Sequence, residues 1–363
     1  MSNRVFNFNP GPSTLPLDVL KTVQEELLNY RGTGMSILEI SHRSPEYEEI
    51  NDSAISLTRQ IMNLGDDYHV IFMGGGASTQ FSYVPLNFLP DGKTACYVDT
   101  GTWSTKSIKE GKILGDVSVI ASSQDGGYTY IPNPSDISLP NNSAYLHITS
   151  NNTIKGTQYH QFPKTEDVPL ISDMSSDIFT RELDFSQFSM IYAGAQKNIG
   201  PSGVVMAIIR DDLLEKCNNN LPTMVDYKTH VTKRSLSNTP PVFAIYMVKL
   251  VLQRIIDLGG LSEIEKINCV KKDSVYHLIE KYPEYFIGTA RLDSRSWINI
   301  TLRLPSEDLE NKLISEAKQA GFVGLKGHRS VGGIRVSLYN AMTLEGAEKV
   351  SDFMANFMNE NPA

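Results

Sequence analysis

Between Met190 and Ile209 two apolar runs enclose a single lysine set among small residues, and no other stretch restricts the fold as much. Met190, Ile191 and Tyr192 read as the end of a short buried strand and Val204 to Ile209 as another, since uninterrupted apolar runs of this length suit strands covered on both faces. Lys197 therefore stands on a connection between two core strands, in Tyr192-Ala-Gly-Ala-Gln-Lys-Asn-Ile-Gly-Pro-Ser-Gly. Its neighbours Ala193, Gly194, Ala195, Gly200, Ser202 and Gly203 let backbone approach a flat, bulky ligand closely. The ordinary reading is a solvated loop lysine, but such a lysine has no use for that clearance.

A lysine desolvated among small and apolar groups loses part of its preference for the charged form, and its amine becomes able to form a Schiff base. The aldehyde that fits is pyridoxal 5'-phosphate. That cofactor demands a phosphate cradle, a carboxylate for its ring nitrogen, an aromatic cover and an arginine for the substrate carboxylate. His69 to Met73 reads as a strand running into Gly74-Gly75-Gly76-Ala77-Ser78-Thr79 and then a helix, where free N–H groups and the helix dipole suit a phosphate. Alone this is an ordinary turn, and it matches neither the dinucleotide fingerprint nor the Walker pattern. Ala95 to Asp99 is a strand followed by Trp103, which either stacks on a ring or packs a helix start. Ala144 to Thr149 leads to Ser150-Asn151-Asn152-Thr153. Leu170 to Asp173 ends in a carboxylate that either pairs with a protonated pyridine nitrogen or caps a helix. All lie at strand carboxyl ends, where open α/β sheets bind ligands.

The 363 residues suffice for two packed domains. We expect an arm at 1–15, turn-rich around Asn9–Pro12 rather than packed, a large domain at 16–260 and a small α+β domain at 261–363. Apolar spacing predicts helices after Pro16, from Ser44-Pro45 with Ser44 as N-cap, and over Val242 to Leu258 up to Gly259-Gly260. Ser262 with Glu265 reads as a capping box, with Ile264, Ile267, Val275 and Leu278 facing inward. In the strand Ile334 to Val336, Arg335 is costly to bury unless it meets an anion, so it is the candidate for a carboxylate, with a structural ion pair as the alternative. His42 and Arg43 together form a candidate anion clamp, and Lys326 to Gly333 is a second polar loop. A net charge of −8 argues against nucleic acid or anionic membrane as a general partner. No apolar run approaches a membrane span, no spacing fits a metal site, and Cys96, Cys217 and Cys269 read as reduced thiols of a cytoplasmic protein.

Phe6-Asn7-Phe8 with Gly11-Pro12, Ser41-His42-Arg43, Val84-Pro85-Leu86-Asn87, the long lysine motif, Asn238-Thr239-Pro240-Pro241, Lys326-Gly-His-Arg and Tyr339-Asn340-Ala341 occur in that order. Through them the chain resembles, over nearly its whole length, the phosphoserine aminotransferase family. These are class-V aminotransferases of pyridoxal-phosphate fold type I: an α/β large domain with a mainly parallel sheet between helices, plus a smaller carboxy-terminal α+β domain.

The resemblance implies that Lys197 is the Schiff-base lysine and Asp173 the ring-nitrogen partner. Trp103 stacks on the ring, and Thr153 lies near its phenolic oxygen. Gly76, Ala77, Ser78 and Gln196 hold the cofactor phosphate, joined by Asn238 and Thr239 of the second subunit of a homodimer. Arg335 takes the substrate α-carboxylate. His42 and Arg43, with His328 and Arg329 from the neighbouring subunit, take the distal anion. The implied reaction is a ping-pong transamination in L-serine biosynthesis, from 3-phosphohydroxypyruvate and L-glutamate to O-phospho-L-serine and 2-oxoglutarate. A second acceptor, 3-hydroxy-2-oxo-4-phosphooxybutanoate of pyridoxine synthesis, stays open. Some members place an arginine in the glycine turn; here Ala77-Ser78-Thr79 offers none. Three rival readings fit less well. A cysteine desulfurase needs a cysteine on a mobile loop at the site, a binding protein has no need for Lys197 with Asp173, and a nicotinamide dehydrogenase needs the missing fingerprint.

Overall fold

The computed structural model describes residues 4–362. Chain order begins with β1 (Phe6–Asn7), α1 (Leu17–Glu26), α2 (Pro45–Met62), β2 (Tyr68–Gly74), α3 (Ala77–Phe88), β3 (Thr94–Asp99), α4 (Thr102–Leu114) and β4 (Asp116–Ser122). It continues through β5 (Ser143–Thr149), the short pair β6 (Asn151–Asn152) and β7 (Thr157–Gln158), β8 (Leu170–Asp173), β9 (Met190–Gly194) and β10 (Val204–Arg210). After α5 (Asp211–Leu214), α6 (Tyr227–Thr232), α7 (Val242–Asp257) and α8 (Leu261–Lys281) come β11 (Ile287–Gly288), β12 (Asn299–Arg303), α9 (Glu307–Gln319), β13 (Phe322–Val323), β14 (Ile334–Ser337) and α10 (Leu344–Glu360).

The large sheet has the order β2-β10-β9-β8-β5-β3-β4. Five neighbouring strands run parallel, and β10 alone is antiparallel to both of its neighbours. The reason lies in the lysine loop. It is too short for the helical crossover that a parallel return requires, so the chain doubles back, with Ala195 N–H donating to Val204 O at 3.0 Å. The strands are buried on both faces: Val204 to Ile209 are all fully covered. One core lies against α2 and α7, and another packs α3 and Tyr227 on the opposite face. Consequently β2, β3, β5, β8 and β9 all present their carboxyl ends at one edge, as open α/β sheets do at their ligand sites.

A second sheet, β11-β12-β14, with α8, α9 and α10, has its own core of Val275, Leu278, Ile300, Leu313, Val336 and Val350. Helix α8 bridges the two bodies, since Leu261 and Ile264 at its start belong to the core of the large sheet. Ser44 caps α2 as expected, accepting from Tyr47 N–H at 3.4 Å. The expected capping box does not form. Helix α8 starts two residues earlier, with Gly260 at φ +80° as its N-cap and no side-chain cap, and Glu265 instead accepts the N–H of Glu182 at 2.7 Å. Ile267, expected inward, is 37% exposed. The arm is packed, contrary to expectation. β1 pairs in parallel with β13, Phe8 is fully buried, and Pro10 O accepts from Tyr339 Oη at 2.7 Å.

Lys271 on α8 is fully buried, and its ammonium donates to Leu338 O, Tyr339 O and Met342 O at 3.2, 2.9 and 3.1 Å. Burial pushes its pKa down to about 7, while three carbonyl acceptors match the three protons of the charged form. Lys271→Met keeps the stem and removes every donor. We expect it to lower stability by about 2–3 kcal/mol, read as a fall in the urea midpoint at unchanged slope; a midpoint equal to wild type would refute that role.

Candidate active site

Two depressions contrast in chemistry. The larger, about 600 Å³, lies between α2, α7 and the 182–185 turn and carries two carboxylates without a nucleophile or a cation. The smaller, about 110 Å³, sits at the carboxyl edge of the large sheet and is lined by Gly76, Ala77, Ser78, Trp103, Asp173, Gln196 and Lys197 among others. Seven residues that the sequence nominates for a cofactor thus meet in one cavity.

Lys197 follows β9, and its Nζ donates to Thr153 Oγ1 at 2.9 Å and stands 5.4 Å from the centre of the Trp103 ring. Desolvation brings its pKa down to about 8; Arg335 pushes the same way, and Asp173 and Asp177 oppose. The amine is thereby closer to its nucleophilic form than a solvated lysine. From the arm, Gly11 closes over the side chain. A Cβ there would lie 3.1 Å from Lys197 Cγ, and the residue's φ of +142° is itself unfavourable for other side chains. Ser13 adds a hydrogen bond from its hydroxyl to Lys197 O and one from its N–H to Gln196 O, the latter at 2.9 Å.

Asp173 ends β8 in register with Thr149 of β5 and Tyr192 of β9. Its Oδ1 accepts the N–H and hydroxyl of Ser175 at 2.9 and 2.5 Å, and Oδ2 has no protein hydrogen bond among the described residues. Burial raises its pKa, with Ser175 and Lys197 opposing. The site thus holds a carboxylate that a cation placed in the cavity would stabilise.

Above them, α3 begins on Gly76 without a side-chain cap, which leaves its first N–H groups open toward the cavity. Gly194 keeps this corner clear, since a Cβ would come 2.6 Å from Gln196 Oε1 and displace that amide, and would lie 3.3 Å from Ala77 N. Trp103 Nε1 and Thr149 Oγ1 are buried without partners. These features fit a planar, phosphorylated group with a basic ring nitrogen: open N–H donors, a lone carboxylate oxygen, an aromatic face and an amine within one cavity.

Arg335 enters from β14, opposite Thr301, and is 6% exposed. Its Nη1 donates to Thr153 O at 3.1 Å, its Nε has no partner, and no carboxylate lies within ion-pair distance among the described residues. The alternative of a structural ion pair is therefore not what the fold provides. His328 and Arg329 lie on the loop before β14. Burial and then Arg335, Arg329 and Lys106 of the same chain lower the pKa of His328, so this loop already belongs to its own chain's Arg335 side. His42 and Arg43 are not among the residues that line the cavity. Their segment is anchored by Ile37 and Ile40, which pack with Tyr30 and Tyr47. Asn238 and Thr239 are exposed and also lie outside it.

Sequence reasoning missed Ser175, the arm contacts on Lys197 and Lys106. Ser175 sits two positions beyond Asp173, a spacing typical of Asx-type turns, which was the available signal. Of the cysteines, Cys96 and Cys217 are buried and none lines the cavity, contrary to what a desulfurase needs. Among the described residues no group of three metal-ligating side chains occurs, and no helix is long and apolar enough to cross a membrane.

The family model for class-V aminotransferases matches residues 5–350. The chain is 54% identical to the phosphoserine aminotransferase of Desulfosudis oleivorans, over 99% of this chain and 100% of that one. It is 52% identical to that of Geobacillus kaustophilus over 98% of each. Among solved structures, the phosphoserine aminotransferase of Bacillus circulans subsp. alkalophilus superposes with a TM-score of 0.97 at 48% identity, covering 99% of both chains. The pyridoxal-phosphate-bound enzyme of Trichomonas vaginalis superposes at 0.92 with 33% identity, over 97% of this chain and 100% of that one. With its lysine cavity, its fold and its full-length relatives in agreement, the chain belongs to the class-V aminotransferase family, on its phosphoserine aminotransferase branch.

Proposed function

We propose that the chain transfers the amino group of L-glutamate to 3-phosphohydroxypyruvate, yielding 2-oxoglutarate and O-phospho-L-serine for L-serine synthesis, with pyridoxal 5'-phosphate held in the Lys197 cavity. The observation that carries the reading is the convergence of Lys197, Asp173 and an anion-free Arg335 at one sheet edge, in a chain about half identical to named enzymes of this activity.

When bound, the cofactor supplies the electron sink that lets an amino acid lose its α-proton. The chain's residues do the rest. Lys197 Nζ is the amine that would hold the cofactor aldehyde, and with its lowered pKa it is the base suited to take the α-proton. Asp173, whose Oδ2 is free, would hold a protonated ring nitrogen, which would also relieve the cost of a buried carboxylate. Trp103 covers one face and limits water. The open N–H groups of Ala77 and Ser78, with Gln196, would hold the phosphate, and Gly75, at φ +110°, turns the chain into that cradle. Arg335 grips the α-carboxylate through two parallel hydrogen bonds. We place His328 and Arg329 at the distal carboxylate or phosphate from the same chain as Arg335, where the resemblance implies the neighbouring subunit, because Arg335 of that chain acts on His328. A homodimer completes the site. The exposed Asn238 and Thr239 of the partner subunit extend the phosphate cradle, and His42 and Arg43 of the partner subunit, which do not line their own chain's cavity, extend the distal one. A cytoplasmic location goes with this reading and is supported by three unpaired cysteines.

The test is the absorption spectrum of purified protein supplied with pyridoxal phosphate. A visible band that L-glutamate removes and 3-phosphohydroxypyruvate restores is the expected result. A colourless protein after loading would refute the cofactor. A band that responds to glutamate but not to the phosphorylated keto acid would refute the acceptor.

A further inference from the structure

Lys106 lies one turn into α4, in a helix start that carries no acid, where the positive end of the dipole disfavours a cation. It is exposed and has no ion-pair partner among the described residues. Its Nζ stands 4.6 Å from the centre of the Trp103 ring, the indole that also faces Lys197 Nζ. It is also near enough to His328 for its charge to be felt there, alongside Arg329 and Arg335. Three cations, Lys106, Arg329 and Arg335, are thus the charges felt at His328, with no carboxylate among them, in a chain of net charge −8. Mutual repulsion makes such a cluster unfavourable until an anion arrives. One α-carboxylate occupies Arg335 and leaves Lys106 and Arg329, with the His328 imidazole beside them. A phosphate carries about 1.5–2 negative charges near pH 7, more than a carboxylate, and the glycine turn Gly74–Thr79 brings no cation to meet it.

We propose that Lys106 is a specificity-determining residue: with His328 and Arg329 it holds the distal phosphate of the keto-acid substrate and supplies the positive charge that the glycine turn lacks. This rests on the transaminase reading above. The Trp103 ring holds the Lys106 ammonium beside the indole that Lys197 also faces.

The experiment compares the loaded wild-type enzyme with Lys106→Met and Lys106→Arg, using 3-phosphohydroxypyruvate and pyruvate as acceptors. In Lys106→Met the ratio of kcat/KM for the phosphorylated acceptor to that for pyruvate should fall about tenfold, mainly through KM, and Lys106→Arg should recover most of it. Calorimetric titration of the loaded enzyme with inorganic phosphate should show several-fold weaker binding in Lys106→Met. An unchanged ratio, or equal losses with both acceptors, would overturn the proposal and leave Lys106 as a packing partner of Trp103. Wild-type enzyme that uses pyruvate but never the phosphorylated acid would overturn the transaminase assignment, and this proposal with it.

Discussion

Lys197→Ala should lower the transamination rate by about ten-thousandfold or more, because one amine serves both as the attachment point and as the α-proton base. The cavity is otherwise untouched by the change. Trp103, Asp173 and the open helix start remain, so the variant should still retain pyridoxal phosphate after gel filtration, now without a borohydride-reducible bond. Retention separates loss of chemistry from loss of the site. The pH dependence of loading follows from the lowered pKa. With a value of about 8, about a tenth of the wild-type amine is neutral at pH 7, whereas at the ordinary lysine pKa of about 10.4 the fraction is smaller by more than a hundredfold. The initial rate of cofactor attachment to apoprotein should therefore rise as pH increases toward about 8 and level off above it. A rate still climbing tenfold per unit between pH 9 and 10 would show that the amine is not desolvated. Residual activity above a hundredth of wild type in Lys197→Ala would remove it from the chemistry.

Arg335→Ala should reduce kcat/KM by about a hundredfold or more for both the amino donor and the keto acid, since every substrate in both directions carries an α-carboxylate. The buried guanidinium has been left without an anion, holding only Thr153 O, so its removal loses a prepared contact while breaking little of the fold. Arg335→Lys should recover only part of the loss, because an ammonium is a point charge without the planar fork. The measurement is steady-state kinetics for both half-reactions, paired with the urea midpoint. A selective loss for one substrate only would move Arg335 from the shared carboxylate to the distal group.

Much of this was legible in sequence because it follows local rules. Leu170–Asp173 and Val204–Ile209 are apolar runs with defined ends, Ser44-Pro45 is a helix start, and the residues after each strand are carried to one edge by the sheet itself. The motifs of the lysine loop then narrowed the chemistry. What escaped depended on distant partners. Glu265 was a good capping residue by spacing, but a backbone N–H from Glu182 claimed its carboxylate. The arm looked loose because its strand pairs with residues more than three hundred positions away. The antiparallel sense of β10 was equally invisible in its apolar composition and was decided by the length of the loop before it. Lys106 had no motif around it, and its charge acts on His328 only through the fold.

The contact of Gly11 and Ser13 with Lys197 bears on how the protein is made. The segment that closes over the amine leaves the ribosome more than three hundred residues before its anchors, Phe322–Val323 and Tyr339. During vectorial synthesis the sheet strands between them are free to pair as they emerge, while this flap has nowhere to dock until those anchors follow. A nascent chain that has not yet reached Phe322 therefore lacks both the cover over the lysine and the guanidinium of Arg335, and the reactive pocket is assembled only after the sheet that carries it.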